Sequence, residues 1–184
     1  FAQSDQIDSP GTAVNDGPVY RLPTFGVFNL GAVGPALGLA QGALDAFLDD
    51  ISRRANLQNS KIAQFMTMQL RVSEASAEID SALLLYRHTV DVIRKATQRG
   101  QGIEQGELLK IQRDCAYMSK LCQRAVERLV DVMGAGGLTE DNFVQLALAD
   151  IKGACAHITM VWDANAVPYG KHLLGIPQIG RAHV

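Results

Sequence analysis

The 184-residue chain has little of what usually assigns a protein quickly. It carries three cysteines, Cys115, Cys122 and Cys155, and no CxxC pair. An odd count without framework spacing does not suit a disulfide scaffold; it suits a reducing compartment, so a cytoplasmic protein is expected. The bland reading of the three thiols is small buried core residues, and no metal site is expected. There is no basic run, and the formal net charge is -2, so the electrostatic footprint that phosphate-backbone binding needs is missing. Nucleic acid is not an expected partner. A long hydrophobic run is also lacking. The most apolar window, Gly31 to Leu48, is broken by Gln41 and Asp45 and rich in glycine, which argues against a membrane span and a membrane partner.

What is present is a core. Hydrophobic residues make up 47% of the chain and charged residues 20%, the balance of a single soluble domain. The ends differ from the middle. The first residue is Phe, and residues 1–24 hold Ser9-Pro10-Gly11, Asn15-Asp16-Gly17-Pro18 and Pro23 around one short apolar piece, Val19 to Leu22. That is turn chemistry with at most an edge strand, and residues 1–27 are expected to be the tail of a preceding β-domain in a larger protein. At the other end, residues 179–184, Ile179-Gly180-Arg181-Ala182-His183-Val184, match the translation of a common sequencing-adapter sequence. They are expected to be an artefact outside the fold.

Between the ends the pattern is helical. A first helix is expected from Phe28, capped by Asn29 and with Pro35 in its first turns; Val33, Leu37, Ala40, Leu44, Phe47 and Ile51 form its stripe. Gly34, Gly38 and Gly42 lie four apart beside that stripe, suited to a close helix or to a flat ligand. Ser52 to Ser60 has no apolar period and reads as a loop. A second helix, Lys61 to Gln98, keeps one face apolar from Phe65 through Val90 to Ile93, over more than roughly 50 Å. His88 on it reads as solvated. After Gly100-Gln101-Gly102, a third helix from Gly106 to Met133 places Leu108, Ile111, Cys115, Met118, Cys122, Ala125, Leu129 and Val132 at bundle spacing, with Arg113, Lys120, Arg124, Glu127 and Arg128 on a solvated face.

The chemistry concentrates after that. Gly134-Ala135-Gly136-Gly137 ends the third helix, and Thr139 is the expected cap of the next. The glycine run is either a C-terminal turn or a cradle of backbone amides for a phosphate, though it lacks the lysine of a P-loop. The last helix, Asn142 to about Asp163, sets Asp150, Ala154, His157 and Val161 near one face. His157 is either a satisfied core histidine or a group lining a cavity, whose near-neutral pKa suits proton chemistry.

Taken together, the first helix with Gly42-Ala43-Leu44-Asp45, two long helices, Gly134 to Gly137 and a shorter terminal helix resemble the carboxyl-terminal domain of the acyl-CoA dehydrogenase fold. The implied fold is all-α, an up-down four-helix bundle over residues 28–178. A dehydrogenase of that fold needs a carboxylate base, normally glutamate, and there is no Glu from Phe1 through Val72 or after Asp141. Asp150, His157, Trp162-Asp163 and Tyr169-Gly170-Lys171 instead resemble the oxygenase components of two-component flavin monooxygenases, with Ala149 departing from the usual Arg. That resemblance implies reduced FMN or FAD supplied by a separate reductase, O2, and a C4a-hydroperoxyflavin that hydroxylates a small aromatic, phenolic substrate. It implies His157 as the catalytic group, and Gly134, Ala135, Gly136, Gly137 and Arg54 near the flavin phosphate. Trp162, Asp163 and Tyr169 would line the substrate pocket, and the assembly would be a homotetramer, with the isolated chain inactive. An acyl-CoA dehydrogenase using FAD and a non-catalytic helical assembly module are the other two readings.

Overall fold

The computed structural model describes residues 14–17, 20, 22, 24–58, 61–99, 103–134, 139 and 141–177, with the side chains of 24–27, 54–58 and 62 left aside. Among the described residues five α-helices follow one another: α1 (Thr24–Gln58), α2 (Met66–Gln98), α3 (Gln105–Met133), α4 (Phe143–Cys155) and α5 (Trp162–Leu173), with a 3-10 turn at Ile62–Gln64 between α1 and α2. Among the described residues there is no strand, and the all-α bundle is what the periodicity and the resemblance predict. The expected edge strand, the terminal segment 179–184, and Ala135, Gly136 and Gly137 lie wholly or mostly outside the described residues.

α3 is the centre of the bundle and packs against all four other helices. Its predicted stripe is buried from Leu108 to Leu129, with Val132 partly so, but Asp114, Ala116, Ser119, Leu121 and Val126, which point to other sides, are buried too. A helix buried on one stripe needs one partner layer; this one is enclosed. Val33, Ala36, Ala40, Ala43 and Phe47 of α1 and Val144, Ala147, Leu148 and Ile151 of α4 complete the core. Gly42 meets the Phe143 ring, where an added Cβ would sit 3.4 Å away, and Gly34 lies near the Tyr86 hydroxyl, but Gly38 is exposed with nothing within 4 Å of where its Cβ would be, so the expected close approach is met at Gly42 and not along the whole line. Cys115 and Cys122 are fully buried and free, as the bland reading expects, and burial pushes both thiols up to about 12.

Several boundaries differ from expectation. The segment read as a loop from Ser52 continues α1 to Gln58, because a missing apolar period does not by itself end a helix. No Gly or Pro interrupts it, and the Asp50–Arg53 pair at 2.7 Å supports the turn. α1 also begins earlier, so Asn29 is not a cap but a buried interior residue. Pro35 then lies inside the helix, where it leaves the Gly31 carbonyl without its helical donor; both residues are exposed, so water can serve that carbonyl. Phe65 and Val90 are exposed rather than buried, since α2 turns its small residues, Ala75 and Ala82, toward its neighbours. Asn142, not Thr139, caps α4: its side chain accepts from the N–H groups of Val144 at 3.0 Å and Gln145 at 3.3 Å.

Arg124 and Arg128 are also not simply solvated. They reach across from α3 to α2, where Arg128 donates to Glu78 at 3.0 Å and to Glu74 at 2.9 Å, and Arg124 donates to the same buried Glu78. No helix of the described residues is long and apolar enough to cross a membrane.

Candidate functional site

The last predicted helix is two helices, and the break between them carries the histidine. α4 ends at Cys155, and residues 156–161 form a turn built on His157 itself. Its carbonyl accepts from Met160 N–H at 2.8 Å and Val161 N–H at 3.2 Å, while its own N–H donates to the Ala154 carbonyl at 3.1 Å. Met160 is buried and anchors the turn in the core. From α5, buried Asn165 donates through Nδ2 to the carbonyls of Ile158 at 3.0 Å and Val161 at 2.7 Å. One side chain thus gives the Ile158 carbonyl the donor it would have had in a continued helix and ties the turn to the Val161 carbonyl at the start of α5.

This placement corrects the expected face of Asp150, Ala154, His157 and Val161, which presumed an unbroken helix. His157 is exposed, so the core-histidine alternative falls away. Its Nδ1 lies 2.8 Å from Thr159 Oγ1 and accepts from the Thr159 backbone N–H at 3.4 Å. The half-exposed Phe28 ring of α1 lies beside the imidazole, with centroids 6.2 Å apart and a tilt of 55°. Asp150 is exposed on α4.

An open depression of about 350 Å³ is lined by Ser119, Lys120 and Gln123 of α3, by Cys155, by Met160 and Val161 of the turn, and by Trp162 and Asp163. Trp162 begins α5 instead of ending a helix. Its ring packs on Tyr117 at 5.6 Å, and Lys120 Nζ stands 5.1 Å from its centroid. Asp163 occupies the first turn of α5, where the helix dipole favours a carboxylate. Cys155 donates to the Ser119 carbonyl at 3.7 Å, and burial raises its thiol pKa.

Of the residues singled out from sequence, the structure therefore brings Trp162 and Asp163 to one depression. His157 is not among the residues lining it and faces Phe28. Tyr169, seven residues along α5, lies under the Arg113 guanidinium at 4.6 Å and stacks with His172. Gly134 is exposed with φ +67° and ψ -172°, and nothing approaches within 4 Å of where its Cβ would be. Ala135, Gly136, Gly137 and the Arg54 side chain lie outside the described residues. Among the described residues no group of three or more His, Cys, Asp or Glu converges as a metal site. The supporting residues Thr159 and Asn165 escape a sequence reading, because a helix assumed to run through the break leaves them no partners.

Known proteins match this chain in sequence and fold. The family description "Acyl-CoA dehydrogenase, C-terminal domain" fits residues 30–162, from α1 to the first residue of α5. The chain belongs to the acyl-CoA dehydrogenase C-terminal domain family. Within reach of this family member by sequence is the oxygenase component of the FADH(2)-dependent resorcinol hydroxylase of Rhizobium sp. (strain MTP-10005). It is 31% identical over 161 residues, covering 79% of this chain and 38% of the relative. The oxygenase subunit HsaA of a flavin-dependent monooxygenase from Rhodococcus jostii (strain RHA1) is 24% identical over 179 residues, covering 96% of this chain and 47% of the relative. The chain thus spans less than half the length of these relatives. The solved structure of the 3-HSA hydroxylase from Rhodococcus sp. RHA1 superposes with a TM-score of 0.87 at 23% identity, over 95% of this chain and 45% of that one. Its likeness bears on the fold.

Proposed function

We propose that this chain is the helical carboxyl-terminal part of the oxygenase component of a two-component flavin monooxygenase that hydroxylates a small phenolic substrate. The observation that carries the reading is an exposed imidazole, His157, held on a pinned turn beside the half-exposed Phe28 ring. The relatives named as oxygenase components support it. A neutral imidazole on such a turn can hydrogen-bond a phenol oxygen, and the neighbouring ring gives an aromatic substrate an apolar surface.

The residues present fit a flavin at one point. Gly134 adopts a backbone conformation reached essentially by glycine alone, and its exposed, unobstructed position lets a phosphate come close to the chain. Gly134, with Ala135 to Gly137 and Arg54, would hold the phosphate end of FMN or FAD. Bound in reduced form, the flavin would supply the electrons that activate O2, one oxygen atom of which enters the substrate while the other leaves as water. A separate reductase would deliver it, and a homotetramer is the expected assembly.

The dehydrogenase alternative finds less support. Asp45 and Asp49 on α1 are exposed and Asp50 is paired with Arg53, so none of the three sits in the dry pocket that α-proton removal needs. His157→Ala in the full-length oxygenase is the test. Substrate hydroxylation is expected to fall on the order of 10²-fold, with O2 consumption diverted to hydrogen peroxide. Unchanged hydroxylation would remove His157 from the chemistry.

A further inference from the structure

The contacts of the His157 ring decide which way it can act. Thr159 approaches Nδ1 twice, with Oγ1 at 2.8 Å and with its backbone N–H at 3.4 Å. The amide has no lone pair to offer, so the nitrogen it faces must present one. In the neutral ring the proton therefore sits on Nε2, and the Thr159 hydroxyl turns to donate to Nδ1 as well. Among the described residues nothing hydrogen-bonds to Nε2. The turn also resists rearrangement, because Met160 and Val161 donate to the His157 carbonyl and Asn165 holds the carbonyls of Ile158 and Val161.

We propose that Thr159 is a positioning residue that fixes His157 as the Nε2–H tautomer, so that His157 meets its substrate as a hydrogen-bond donor and not as a base. The inference rests on the reading of His157 as the catalytic group. A base at Nε2 would need the lone pair there, and the proton would have to sit on Nδ1, against the Thr159 amide. A donor at Nε2 instead stabilises negative charge on a phenolic oxygen. The chemical class that fits is a phenol bound with its oxygen toward Nε2 and its ring against Phe28.

Two readouts test the proposal separately from the catalytic reading. In the 184-residue chain with 15N-labelled histidine, long-range NMR resolves four imidazoles, and His157→Ala assigns the one in question. The expected pattern is a protonated Nε2 and a lone-pair Nδ1 whose shift shows hydrogen bonding. Thr159→Val keeps the shape but removes the hydroxyl; it should move Nδ1 toward the unbonded position, and Thr159→Ser should hold it. A protonated Nδ1, or a Val variant with an unmoved Nδ1, overturns the proposal. In the full-length oxygenase Thr159→Val should lower kcat for hydroxylation about tenfold with little change in KM, since misplacing a reacting group costs rate more than binding, and Thr159→Ser should restore it. If His157→Ala abolishes hydroxylation while Thr159→Val changes neither kcat nor the Nδ1 signal, positioning by Thr159 is wrong and the catalytic reading stands. If the NMR pattern holds but His157→Ala hydroxylates normally, the donor role fails with the catalytic reading.

Discussion

Along the seam between α2 and α3, charged groups interlock: buried Glu78 accepts from both Arg124 and Arg128, and Arg128 also reaches Glu74. Along the seam between α3 and α5, cations lie over ring faces instead, Arg113 on Tyr169 and Lys120 on Trp162. The first arrangement has fixed donor and acceptor geometry and closes the surface. The second tolerates small shifts, because a ring face offers no single direction, and it leaves the depression beside Trp162 open. Two long helices, α2 and α3, are thus clamped by ion pairs, and the short helix that follows the His157 turn is held by contacts of less fixed geometry. Breaking either seam should therefore have unequal consequences.

The largest effect is expected at Glu78. Its removal leaves two guanidinium groups side by side on α3 without the carboxylate they share, and breaking a buried ion pair from one side is costly. Arg124 is 50% exposed, so water recovers part of the loss. Glu78→Ala is expected to lower stability by about 2–3 kcal/mol, below the value for a fully buried pair. Urea unfolding monitored by helical circular dichroism measures it. A change no larger than that of an exposed surface substitution would mean that the cluster does not clamp the seam.

Asn165→Ala attacks the other region. The Ile158 carbonyl loses its donor and the Val161 carbonyl, which keeps its helical one, loses its link to the side chain; the turn lies at the surface and water can replace part of the loss, so about 1–2 kcal/mol is expected. The change should be local. Trp162, the only tryptophan, starts the helix that Asn165 ties to the turn, so its emission is expected to shift while the α2–α3 seam keeps its unfolding cooperativity. An unmoved emission maximum would show that the turn holds its shape without Asn165.

Most of the bundle was legible in the sequence because three-four spacing over three long helices leaves few alternatives. Cys115, Met118, Cys122, Ala125 and Leu129 on one stripe of α3 all reach the core. The reading failed where one residue does two jobs. Arg124 and Arg128 fall off the stripe, and nothing in their spacing says that Glu78, far away in the chain, waits across the groove. Ile158 to Val161 continues an apolar run that looks helical. The break depends on Asn165 bonding backwards to carbonyls, and such a side-chain competitor is invisible to a hydrophobic pattern. The family resemblance found His157, Trp162 and Tyr169 together, but only the structure divides them among a turn, a depression and an Arg113 contact.

The smallest expected effect tests why the α3–α5 seam is the weaker one. Asp114 is buried beside Arg113, whose guanidinium lies over Tyr169 and whose Nε has no partner among the described residues. Burial raises the Asp114 pKa above its ordinary value; Arg113, then Lys110 and His88, pull it back only in part. The folded chain therefore holds this proton more tightly than the unfolded chain does. Above the unfolded pKa of about 4, the unfolded state releases the proton first, and stability falls as pH rises through the interval up to the raised folded value. This is opposite in sign to a carboxylate stabilised by its partner. Asp114→Asn removes the titration, so the stability difference between the two proteins should move in favour of the variant as pH rises from about 4. Urea midpoints measured across that range decide it. Parallel curves, or a shift toward the unaltered chain, would mean that Arg113 fully offsets the burial of Asp114 and that the two seams differ in geometry alone.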